Sequence, residues 1–146
     1  MHTHVHIDLR KYIHVHIILP LFDPITFPYR QAIAMGLTRN RSLVFLDLRC
    51  NGITALSASS LGMALQNNTT LARLILYDNE LGDDGARLLA PSLQQNTGLQ
   101  LLDLRLNLIG DVGYECIRKA IVARYAYTNL QLDCAVYQDK KKENSF

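Results

Sequence analysis

Tryptophan is absent, and seven tyrosines with four phenylalanines are the only aromatic rings in 146 residues. That leaves no platform for stacking bases, which binders of single-stranded nucleic acid need. Three cysteines, an odd number in a chain of this length, exclude a disulfide framework. An excess of one charge is missing too. The net charge of +2 is too small to point to nucleic acid or a membrane surface as partner. The longest uncharged apolar stretch near the start, Tyr12 to Phe22, is broken by His14, His16 and Pro20. It falls well short of the ~20 residues that cross a bilayer. A secretory signal fits badly, because Asp23, Pro24, Pro28 and Arg30 separate that stretch from the cleavage-like Ala32-Ile33-Ala34. No nucleophile elbow, phosphate loop, zinc signature or nucleotide fingerprint occurs. Asp83, Asp84 and Asp111 suit helix capping better than acid–base work. Neither an enzyme nor a cofactor is expected.

What the chain has is apolar material, 49% of it, with only 19% charged residues, and that material is periodic. Leu43, Leu71 and Leu99 recur at a step of 28, as do Leu46, Leu74 and Leu102, then Leu48, Leu76 and Leu104. Asn51, Asn79 and Asn107 keep the same step, and so do Leu65, Leu93 and Ile121. Three segments align without a gap: LVFLDLRCNGI, LARLILYDNEL and LQLLDLRLNLI. Leu-x-Leu has period two, so the leucines share one face of a short strand and the residue between them takes the other. Stacked copies bury a leucine core that no copy could bury alone. Each asparagine falls where the strand turns away, and its amide is suited to pair backbone groups there in a structural ladder.

After each asparagine the period becomes helical, as in Ala86, Leu89, Ala90 and Leu93. Asp83 and Asp84 are placed to start that helix, and Pro91 lies inside it. One step back, Ile25, Ile33 and Leu37 fit a helix opened by Pro28, with Asn40 matching Asn68 and Asn96. The strand before it is degraded. Val15 and Ile18 fit, but Pro20 and Asp23 replace the leucine and the asparagine. One step forward, Tyr127, Leu130 and Leu132 form a last strand, with Ala135 in the asparagine column. Expected divisions are a poorly ordered His-rich segment at 1–14 and a repeat domain at 15–138. Within that domain lie a degraded repeat 15–42, repeats 43–70, 71–98 and 99–126, and a terminal strand 127–138. A charged tail, 139–146, follows.

The pattern Leu-x-x-Leu-x-Leu-x-x-Asn-x-(Ile/Leu), continued to Gly85 and Gly113, resembles the ribonuclease-inhibitor type of leucine-rich repeat. Ser57 departs from it in the last glycine's place. Similar repeats build the ribonuclease inhibitor and the arrays of NOD-like receptors. The resemblance implies an α/β fold, a right-handed solenoid with parallel inner strands and outer helices. It also implies a non-catalytic module that binds a partner protein, and relatives that act on small GTPases or actin ends supply an alternative. A truncated product without independent function is a further one.

On such an arc the residues between the leucines line the concave face in columns: Phe45, Arg73 and Leu101; Asp47, Ile75 and Asp103; Arg49, Tyr77 and Arg105; Cys50, Asp78 and Leu106. Apolar and aromatic groups amid Arg and Asp read as a protein-binding surface, with Tyr77, Arg49, Arg105 and Phe45 as anchors. The bland alternative is that Asp47 with Arg49, and Asp103 with Arg105, only pair locally. Three Asp against three Arg is not the acidic face that would trap a basic ribonuclease. His2, His4 and His6 alternate, as do His14 and His16, but no neighbouring ligand completes a set, so no metal site is expected. Such runs are also what translated simple-repeat DNA gives. Cys50 and Cys134 share a column three repeats apart, too far for a disulfide, so free thiols and a cytoplasmic setting are expected. Asn67 and Asn68 fit the glycosylation pattern but read as a plain helix-to-strand loop. A monomer is expected, with no nucleic acid or membrane among its partners.

Overall fold

A computed structural model describes the backbone of residues 4–8, 12–16, 26–128 and 133–135, and side chains from 32 to 126. Strands β1 (His4–Asp8) and β2 (Tyr12–His16) precede helix α1 (Thr26–Arg39). Then follow β3 (Phe45–Asp47), α2 (Ala55–Asn67), β4 (Arg73–Ile75), α3 (Gly82–Gln95), β5 (Leu101–Asp103), α4 (Asp111–Thr128) and β6 (Asp133–Ala135). The six strands form one open sheet in chain order, antiparallel between β1 and β2 and parallel from β2 onward. Across β3, β4 and β5 the register keeps the 28-residue step: Leu46 beside Leu74 beside Leu102. Helices α1 to α4 pack in the same order. Their buried residues, among them Leu61, Leu65, Leu89, Leu93 and Ile117, close on the strand leucines in a single core. This is the α/β solenoid of parallel strands and helices that the resemblance implies.

Two registers differ from the period. The segment 1–14, expected to be poorly ordered, contains β1 and part of β2. Its alternating histidine and aliphatic residues suit a strand, and pairing with β3 continues the sheet beyond what would otherwise be an edge. Ile13 lies opposite Leu46, five residues ahead of Ile18, which the period assigns there and which is outside the described residues. At the other end Cys134 lies opposite Leu102, four residues after Leu130. The cause is α4, which has 18 residues against 14 in α3, one extra turn. Cys134 therefore belongs to the leucine column, not to that of Cys50. The expected tail, 139–146, is outside the described residues.

Asparagines join the repeats at two corners. After the strands, Asn79 donates to the carbonyls of Leu48 (3.0 Å) and Leu76 (2.8 Å) and accepts the amides of Asn51 (3.0 Å) and Ile53 (2.9 Å). Asn107 repeats the donor half toward Leu76 (2.7 Å) and Leu104 (3.1 Å), while its Oδ1 is buried with no partner among the described residues. There the backbone substitutes: the Asn79 amide donates to Leu106 and that of Gly82 to Asn107. After the helices, Asn68 donates to Leu37 and Asn40 and accepts from Thr70 and Leu71. Asn96 donates to Leu65 and Asn68 and accepts from Gly98 and Leu99. Asn68 is fully buried, which closes it to glycosylation; Asn67 is exposed.

Candidate functional site

The face of β3, β4 and β5 turned away from the leucine core carries the candidate residues. In the first column Phe45 and Leu101 are half-buried and Arg73 is exposed. In the second, Ile75 is half-buried, but Asp47 and Asp103 are only 2% and 6% exposed. They do not reach solvent as the sequence suggests, because the arginine two residues on closes over each. Arg49 Nε lies 3.0 and 2.9 Å from the two Asp47 oxygens, with a further ion pair at 2.6 Å. Arg105 grips Asp103 through Nε at 2.8 Å and Nη2 at 2.5 Å. The arginine backbone amides donate to the same carboxylates at 3.1 Å. Each fork is thus a closed loop within its own repeat, a strong geometry for such a pair.

The middle repeat has Ile75 and Tyr77 where its neighbours have Asp and Arg. Tyr77 lies between the two forks in the repeat order, and the Arg105 guanidinium sits 5.4 Å from its ring centroid, a cation–π contact. Seen from outside, the face shows guanidinium planes, one phenol and aliphatic groups, with two of its acids neutralised beneath. Burial alone would raise the Asp103 carboxyl. The hydrogen bonds and charge of Arg105 outweigh that and hold it below the ordinary range.

The fourth column turns the chain. Cys50, Asp78 and Leu106 all adopt left-handed backbone, with φ of 54°, 55° and 54°. The Cys50 thiol donates to Asp78 at 3.3 Å. Partial burial and then that carboxylate push the thiol up, so it is not an activated nucleophile. Among residues 32–126, whose side chains are described, no cluster of three or more His, Cys, Asp or Glu could hold a metal ion, and among the described residues no helix is long and apolar enough to cross a membrane. Cys50 and Cys116 are free.

A model of the Leucine Rich repeat matches residues 39–62, 67–90 and 95–117. The fold is a leucine-rich-repeat solenoid. The three windows open at the asparagine corners, just ahead of Asn40, Asn68 and Asn96. No curated protein matches the chain in sequence. Among solved structures, "Leiomodin-1 Actin-Binding Site 2 (ABS2)" is similar with a TM-score of 0.71 and 19% identity. The likeness covers 86% of this chain and 70% of that one, and at such identity it concerns the fold.

The leucine-rich repeats hold two devices that reading the sequence misses. Asn40, Asn68 and Asn96 share a 28-residue step, which marks them as a column, but their role as a second ladder needed the corner geometry. Asp83 sits in the first turn of α3 yet serves the next helix. Its Oδ1 accepts the amides of Gly110 (2.8 Å) and Gly113 (2.9 Å) at the start of α4. A Cβ on Gly113 would lie 2.6 Å from that oxygen, so the motif's glycine is there to let α4 close on α3.

Proposed function

We propose that the chain is a non-catalytic module that binds a partner protein on the concave strand face. The observation that carries this reading is Tyr77 between two arginine forks, bordered by Phe45, Ile75 and Leu101. Aromatic, arginine and aliphatic groups meet there, with the two fork carboxylates neutralised beneath, a composition enriched at interface hot spots. The repeat length, the real helices and Gly85 and Gly113 support a likeness to the ribonuclease-inhibitor subtype and to NOD-like receptor arrays. Free thiols at Cys50 and Cys116 support a reducing, cytoplasmic setting, and the module acts as a monomer.

The test must spare the forks. Removing Arg49 or Arg105 would strand a buried carboxylate, so lost binding would report misfolding. Tyr77→Ala combined with Arg73→Glu changes the face without that penalty, and Arg87→Glu, exposed on α3, is the control. Proteins cross-linked to the wild-type chain should remain with Arg87→Glu and fall at least about tenfold with the double variant, the effect of losing ~1.4 kcal/mol. Equal capture by all three would refute the face. A second reading, binding to actin, is favoured by the actin-binding neighbour. Co-sedimentation with filaments and actin assembly rates test it, and no effect at tens of micromolar removes it.

A further inference from the structure

Histidine occupies alternate positions of both hairpin strands: His4 and His6 in β1, His14 and His16 in β2. Each strand alone offers a pair, too few to close a metal site. The antiparallel register changes that count, because His4 lies opposite His16 and His6 opposite His14. Positions directly across a ladder belong to one face of the sheet, and so do positions two apart along a strand. All four histidine positions therefore share a face, at the corners of a rectangle about 5 Å by about 7 Å.

The other face of the hairpin holds Val5 opposite Val15 and Ile7 opposite Ile13. Pairing with β3 shows which way the two faces lie. Ile13 is in register with the core residue Leu46, and His14 with Asp47. The aliphatic positions thus extend the leucine column. The histidine positions extend the strand face that carries Asp47, Ile75 and Asp103. Asp47 is held by Arg49 and is not counted as a ligand.

We propose that this four-histidine face binds one late first-row divalent cation, with Zn²⁺ as the ion to test. Neutral imidazole nitrogen is a favoured ligand for Zn²⁺, Cu²⁺ and Ni²⁺, and protein zinc sites take three or four side-chain ligands. A shared ion ties β1 to β2 across both histidine pairs and pins the hairpin where the sheet begins. The site is independent of any partner protein on the rest of the face.

The experiment uses the full chain without an affinity tag, titrated with Zn²⁺ against a chromogenic chelator. One tight ion per chain is expected, with a rise in Tm on binding. The decisive variant exchanges neighbours, His4→Val together with Val5→His. It keeps every histidine and the composition but moves one to the aliphatic face. Affinity should fall at least about tenfold, the loss that even an outer-shell partner carries. His16→Ala, at the opposite corner of the same pair, should do the same, with circular dichroism showing that each variant keeps the wild-type fold. Unchanged affinity in the exchange variant would show a merely histidine-rich stretch and overturn the site. So would loss of binding on Cys50→Ser, or a series of weak ions with no saturable tight one.

Discussion

Leu108 holds an exposed side chain, 67% accessible, on a left-handed backbone with φ of 56°, at the repeat position where Gly52 has the same φ. A residue with a Cβ pays roughly 1–2 kcal/mol there, while glycine in its place carries an entropic cost of about 0.5–1. Leu108→Gly is therefore expected to raise stability by about 0.5–1 kcal/mol, read as a higher urea midpoint. Asp103 sets a pH dependence of defined sign. Its carboxyl titrates below the ordinary aspartate range in the folded chain, so its contribution is complete above the ordinary value. That contribution disappears as pH falls through the lowered one. The urea midpoint should drop on acidification below about pH 4, the ordinary aspartate range. Asp103→Asn should start lower and show a shallower acid slope. An identical slope in both proteins would mean that the Arg105 fork carries no proton-linked stability.

At the scale of elements, two glycines separate packing from propensity. Gly36 in α1 has nothing within 4 Å of the place a Cβ would take, whereas at Gly113 that place is 2.6 Å from Asp83 and 3.0 Å from Ala86. Gly36→Ala should stabilise by about 0.5–1 kcal/mol through helix entropy. Gly113→Ala should destabilise by about 1–3 kcal/mol by forcing α4 away from α3. Thermal melts of the two variants moving in the same direction would contradict this division. The contrast also shows what the sequence makes legible. Period two and period 3.6 appear directly in the leucines, so β3, β4, β5 and the helices between them follow from spacing. The burial of Asp47 and Asp103 does not, because an arginine two positions away can reach solvent or fold back, and only the three-dimensional loop decides. The shift of β6 escapes the period for another reason: one more turn of α4 leaves the local pattern helical while moving everything after it.

Over the whole molecule, coupling between repeats is carried by side chains as well as by apolar stacking, and the part that the asparagine amides donate has a direction. Asn79 serves Leu48, Asn107 serves Leu76, Asn68 serves Leu37 and Asn96 serves Leu65, each pairing carbonyls of the repeat before it. A chain leaving the ribosome therefore cannot satisfy the corners of one repeat until the next has emerged. At ~5–20 residues per second, one 28-residue unit arrives every ~1–6 s. For that interval each newly made repeat holds open carbonyls and an uncovered leucine row. The array thus closes from its first strand toward its last, one unit behind synthesis, and a pause in translation within a repeat would lengthen the exposure of the repeat already made.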